Sequence, residues 1–147
     1  MKTRNEIFIA APAATIYSLA ATTSEWPRIL PHYRFVDTLS RSENEYTVHM
    51  GAKRDWIPVQ WTAQQTNIPS IPEIHFTHIA GWTKGMEVVW QFTPEGGGTR
   101  VSIEHVLEFQ FPFAAKWIGT HIVGGFFVHA IANATLARIK LLAEQTA

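Results

Sequence analysis

The side chains that could do chemistry in this chain are histidines, one tyrosine and one well-placed cation; there is no cysteine. Without a thiol, disulfides, thiolate catalysis and cysteine-bound metals are excluded. His78 and His105 lie in stretches of alternating polarity, on the parity shared with their apolar neighbours. Each reads either as a neutral core histidine bonded to backbone or as an acid/base group for a ligand carbonyl. Tyr33 is a further proton-transfer candidate. Arg54 has the same inward parity at the end of its strand; it reads as a surface arginine beside Asp55, or as a mouth-facing cation for a ligand oxygen.

Other chemistries lack their residues. His75 and His78 are three apart on a strand and point to opposite faces. His121 and His129 are eight apart on a helix, about 12 Å of rise and too far for one ion. With no HExxH run, no metal and no cofactor is expected. Gly96-Gly97-Gly98-Thr99 lacks the lysine of a phosphate loop and reads as a hairpin turn. No G-x-S-x-G nucleophile motif occurs.

The elements that must position these groups follow from periodicity. Glu6 to Ala10 reads as a strand, closed by Ala11-Pro12, and Ala13 to Ala21 as a helix begun by that proline. Ser24 is the expected N-cap of a second short helix that Pro31 ends. Six strands follow at His32–Leu39, Tyr46–Arg54, Val59–Thr66, Glu73–Ile79, Met86–Phe92 and Arg100–Phe111. Their short connections require antiparallel neighbours. From about Phe113 to Glu144 a last, long helix is expected. The result is an α+β chain whose helices cover one face of an antiparallel sheet.

Parity then selects the inward side chains. They are mostly bulky: Met50, Trp61, Phe76, Met86, Trp90 and Phe109, with Tyr33 ahead of them. On the long helix Ile118, Ile122, Gly125, His129, Ala132, Leu136 and Ile139 form one stripe. The polar exceptions are Arg54, Gln65, His78, His105 and His129. A dry core rarely holds so many, whereas a ligand cavity holds a few convergent polar groups. Expected ligand contacts are therefore Met50, Trp61, Gln65, Phe76, Met86, Trp90, Phe109 and His129, with Tyr33, Arg54, His78 and His105 as catalytic candidates. Trp56 and Trp82 fall in turns, folded back on the rim or flanking the cavity entrance, and Trp26 is expected to anchor the second helix.

Composition sets the remaining bounds. The 147 residues suit one domain, 46% are hydrophobic and 16% charged. Twelve basic residues balance twelve acidic ones, so no net field draws nucleic acid. Residues 117–137 carry no Asp, Glu, Lys or Arg, but glycines, histidines and Asn133 dilute them, so a buried helix is expected rather than stable membrane insertion. No secretion signal is evident at the start, and a cytoplasmic location is expected. Phe126, Phe127 and Ile131 widen the apolar surface of the helix beyond its stripe and hint at a homodimer contact.

Several local patterns resemble the START-like (SRPBCC, helix-grip) superfamily across essentially the whole chain. They are Ala11-Pro12-Ala13-Ala14-Thr15-Ile16-Tyr17, Trp26-Pro27 with Tyr33, Trp61, Trp90-Gln91-Phe92-Thr93-Pro94 before Gly97-Gly98-Thr99, and Arg138-Ile139-Lys140. The resemblance implies a seven-stranded curved antiparallel sheet around a long C-terminal helix, with two short helices after strand 1. Within the superfamily the chain looks most similar to polyketide aromatase/cyclases, which share it with ubiquinone-binding proteins and pollen-allergen-type carriers. It implies an apolar, aromatic or polycyclic small-molecule ligand, with cyclisation and dehydration as the activity, or else carriage of a lipid, isoprenoid or quinone. It also implies cavity aromatics at Tyr33, Trp61 and Trp90. An interior arginine is expected four residues beyond the tryptophan of Trp61's strand, and this chain has Gln65 there.

Overall fold

The computed structural model describes residues 1–81, 83–107 and 128–146. Strand β1 (Lys2–Ile9) leads to helix α1 (Ala13–Ala21), a 3-10 turn (Thr23–Glu25) and the one-turn helix α2 (Trp26–Ile29). Six strands follow: β2 (Tyr33–Ser42), β3 (Glu45–Arg54), β4 (Ile57–Ile68), β5 (Glu73–Gly81), β6 (Glu87–Glu95) and β7 (Gly98–Val106). Helix α3 (His129–Thr146) closes the described chain. The seven strands form one antiparallel sheet in the order β1-β7-β6-β5-β4-β3-β2. This is the helix-grip architecture expected above.

The local causes are readable. Pro12 sits at the N-cap of α1 with φ −63°, which suits a residue that needs no donor there. β1 runs four residues earlier than Glu6 because Lys2 to Ile9 pair continuously with Val106 to Thr99. Ser24 is not a cap: it lies inside the 3-10 turn, and no side-chain cap bond opens either short helix. The expected start of the long helix near Phe113, and Phe109 at the end of its strand, lie outside the described residues.

Two basic residues of the Arg138-Ile139-Lys140 run tie α3 to the rest. Arg138 Nε donates to the Ile29 carbonyl at the end of α2, at 3.0 Å. Lys140 Nζ donates to the Phe8 carbonyl at 2.8 Å, and the Glu144 carboxylate accepts from the Ala10 N–H at 2.9 Å. With these clamps set, Ala132, Leu136, Ile139 and Ala143 are buried. They meet Ile9, Ile16, Val48, Ile74 and Ile103 in one core.

A bulge shapes the sheet where the cavity forms. On β5 the register passes from Thr62↔Ala80 directly to Ala63↔His78, so Ile79 is the extra residue. Beyond it Trp61 pairs with Gly81, whose φ is +103°. A Cβ at Gly81 would come within 2.8 Å of the Gln60 carbonyl oxygen, so glycine is required opposite Trp61.

Candidate functional site

Between the inner face of the sheet and α3 lies a cavity of about 80 Å³, open to solvent on one side. Its walls are aromatic and thioether. Trp26 is the hub: its ring centroid lies 4.9 Å from Tyr33, 6.0 Å from Trp90 and 6.2 Å from Phe76. Tyr33 in turn meets Trp61 edge-on at 6.1 Å. Such edge and tilted contacts fix the rings while leaving flat faces for a planar guest. Met50 and Met86 line the same space with adaptable thioethers.

The polar groups on this wall are few. The His78 ring stacks on Trp61 at 5.5 Å with planes 8° apart, which the bulge at Ile79 permits by drawing His78 towards Trp61. His78 Nδ1 and the Thr83 hydroxyl are hydrogen-bonded at 2.5 Å. His105 stands two strands away, opposite Val88 on β6. Burial pushes the His78 imidazole down to about 3, helped by His105, and pushes His105 down to about 4. Both rings are therefore uncharged at neutral pH. Burial also raises the pKa of the Tyr33 phenol. Among the described residues, no Lys, Arg, Asp or Glu lines the cavity.

The structure thus gathers Tyr33, Met50, Trp61, Phe76, His78, Met86, Trp90 and His105 around one space. Four expected site residues are elsewhere or undescribed. Gln65 is inward and 1% exposed, but its amide is consumed by structure. Its Oε1 accepts from the Thr23 hydroxyl at 2.7 Å, and its Nε2 donates to the Ala21 carbonyl and to Asn67 Oδ1, both at 2.9 Å. Gln65 therefore fastens the end of α1 and the 3-10 turn to the sheet. Arg54 is half-buried at the strand end and is not on the cavity wall.

His129, expected on the stripe facing the sheet, is exposed and bonds to Asn5 and Asn133 on the flank of α3. The buried stripe runs instead through Val128, Ala132, Thr135, Leu136 and Ile139, which turns His129 outwards. Phe109 lies outside the described residues, as do Trp82, Phe126 and Phe127. Ile131, read above as extra helix surface, lines the cavity. Trp56 neither folds back nor lines the entrance: at the β3–β4 hairpin it is 84% exposed.

Periodicity missed several wall residues, among them Trp26, Thr83 and Thr135. Trp26 sits on a helix of one turn, too short to show a period, and Thr83 sits in a turn. Thr135 follows from the corrected stripe; its hydroxyl donates to the Ile131 carbonyl and meets His32 Nε2 at 2.8 Å.

With the fold and cavity defined, known proteins can be compared. Residues 9–127 match the family described as polyketide cyclase / dehydrase and lipid transport. The chain belongs to that family. Among curated relatives, the bifunctional cyclase/dehydratase of the granaticin polyketide synthase from Streptomyces virginiae is 34% identical over 65 residues. That match covers 44% of this chain and only 21% of the relative, so the chain spans about a fifth of its length. The Zhui aromatase/cyclase structure from Streptomyces sp. R1128 superposes with a TM-score of 0.82 at 17% identity, covering 99% of this chain and 94% of the other. A START superfamily protein from Mycobacterium smegmatis gives 0.74 at 13% identity, covering 99% of each. At such identities the structural likeness establishes the helix-grip fold.

For this family member the described residues contain no group of three or more His, Asp or Glu placed to hold a metal ion. Among them no helix is long and apolar enough to cross a membrane.

Proposed function

We propose that this protein binds an aromatic or polycyclic apolar molecule in the cavity and closes or dehydrates a ring on it. The observation that carries the reading is the Trp61–His78–Thr83 array: an imidazole stacked on an indole, held by a hydroxyl, at the wall of an aromatic cavity. An imidazole that titrates near 3 is a weak base but a good neutral hydrogen-bond donor. The tautomer that serves this role carries its proton on Nε2, with Nδ1 accepting from the Thr83 hydroxyl, so that the Nε2–H can polarise a ketone oxygen.

The reaction suited to that donor is an intramolecular aldol closure. An enol carbon attacks a ketone carbon of the same chain and a C–C bond forms. The ketone π pair moves to its oxygen, which takes up a proton, and the enol O–H loses one. Loss of the new hydroxyl with a neighbouring C–H proton, as water, leaves a C=C bond. The aromatic wall contributes by folding the chain so that the two carbons meet.

The second reading, a carrier of a lipid, isoprenoid or quinone, is favoured by one observation. Gln65 stands where the resemblance implies a polarising arginine, and its amide is bound up in structural hydrogen bonds. Both readings require the cavity to accept flat apolar molecules, and this is tested first. Trp61→Leu is expected to weaken binding of a polycyclic aromatic roughly ten-fold, through loss of one stacked face. Its urea midpoint should stay near that of the wild type, since Trp61 is only partly buried. Tryptophan emission during titration with anthraquinone reads the affinity. Equal affinity of the two proteins would place the ligand elsewhere.

A further inference from the structure

His105 differs from His78 in a way the ring-closing scheme does not use. Its Nδ1 is buried and has no hydrogen-bond partner among the described residues, although the ring lines the cavity and is only 9% exposed. Thr3 is its direct cross-strand partner on β1, so the two side chains share the inner face of the sheet. The Thr3 hydroxyl is likewise buried and unpartnered among the described residues. A lone buried polar atom costs free energy unless a partner is supplied.

We infer that the His105 imidazole, on the cavity wall and without a hydrogen bond among the described residues, is a subsite that anchors an uncharged hydroxyl, phenolic or enolic, of the cavity's ligand. This rests on the ligand-binding reading above and specifies which ligands qualify. A hydroxyl both donates and accepts, so it satisfies either tautomer of the imidazole, whereas a carbonyl or ether oxygen serves only the N–H form. A carboxylate or phosphate is excluded on two grounds. No Lys or Arg among the described residues lines the cavity to pair with it, and the imidazole, held neutral by burial, offers no positive charge. His78 has its Nδ1 already engaged by Thr83 and is left for chemistry, so the two histidines divide the work of orientation and polarisation.

The test uses three probes of one size: naphthalene, 2-naphthol and 2-naphthoate, measured by equilibrium dialysis at neutral pH. 2-Naphthol is expected to bind roughly five-fold more tightly than naphthalene, the gain of one net hydrogen bond. 2-Naphthoate should bind at least about ten-fold more weakly than naphthalene, because its charge is buried without a partner. His105→Leu should erase the advantage of 2-naphthol over naphthalene, with a wild-type circular-dichroism spectrum showing that the variant is folded. His105→Gln, which keeps a donor and an acceptor, should retain part of it. The inference is overturned if 2-naphthoate binds as well as 2-naphthol, or if His105→Leu keeps the preference for the hydroxyl. If naphthalene itself does not bind the wild type, the cavity reading fails along with it.

Discussion

Between pH 6.5 and pH 4.5 the protein is expected to lose a large part of its stability, well before its carboxylates protonate. The cause is the buried histidine pair. In the unfolded chain each imidazole takes up its proton near its ordinary value of 6.5. In the folded protein His105 does so only near 4 and His78 only near 3. The unfolded state therefore binds more protons throughout that window, and stability must rise with pH across it. The full contribution is present above the unfolded pKa and drains away as pH falls towards the folded values. Each imidazole is worth roughly 1 kcal/mol per pH unit, so together they remove several kcal/mol of the 5–15 kcal/mol typical of a domain.

His32, whose pKa burial also lowers, adds in the same direction. Glu73, Glu95 and Glu144, with lowered pKa values, lose their stabilising contribution as pH falls through and below the ordinary carboxylate range. Urea midpoints at pH 7.0 and 4.5 measure the difference. His78→Leu should reduce it by close to half, and midpoints equal at the two pH values would show that the histidines are not held neutral.

Removing the ring nitrogen of His78 is expected to cost roughly 100-fold in the rate of ring closure, the usual effect of deleting one donor to a developing oxyanion. His78→Leu keeps an apolar side chain against Trp61, so the loss should fall on kcat, with KM little changed. Thr83→Val should act in the same direction but less, because it frees Nδ1 without removing the ring. The wild-type rate should stay flat from neutrality down to about pH 4, since neither imidazole changes its charge across that range. Absorbance of the aromatic product formed from a linear poly-β-ketone thioester follows the reaction. A His78→Leu enzyme with the wild-type rate would show that His78 is not the donor, and a wild-type protein that forms no product would leave the carrier reading in possession of the cavity.

The sheet and most of the cavity wall were legible because β-parity is strict. Met50, Trp61, Phe76, Met86 and Trp90 alternate with polar neighbours, and one register places all of them inside. A helical stripe is less strict. Steps of four and three through His129, Ala132, Leu136 and Ile139 fit almost as well as the observed stripe through Val128 and Thr135, and the wrong choice turned a histidine inwards. Gln65 was recognised as inward, but its main partner, Thr23, is 42 residues away in sequence. Nothing local distinguishes a structural amide from a ligand contact. Arg54 failed for the opposite reason: parity holds along a strand but says little at its last residue, where the wall has already ended. Trp26 and Thr83 occupy elements too short for any period.

Ligand binding in the cavity is reported directly by the methionines. The chain has three, Met1, Met50 and Met86, so a methyl-labelled sample gives three resolvable signals. Met50 and Met86 line the cavity, whereas Met1 is not on its wall, its N-terminal amine bonded to the Leu107 carbonyl. On titration with anthraquinone the Met50 and Met86 methyl resonances should shift together by ring-current effects, and by more than that of Met1. Binding that leaves Met50 and Met86 where they were would contradict the cavity as the site.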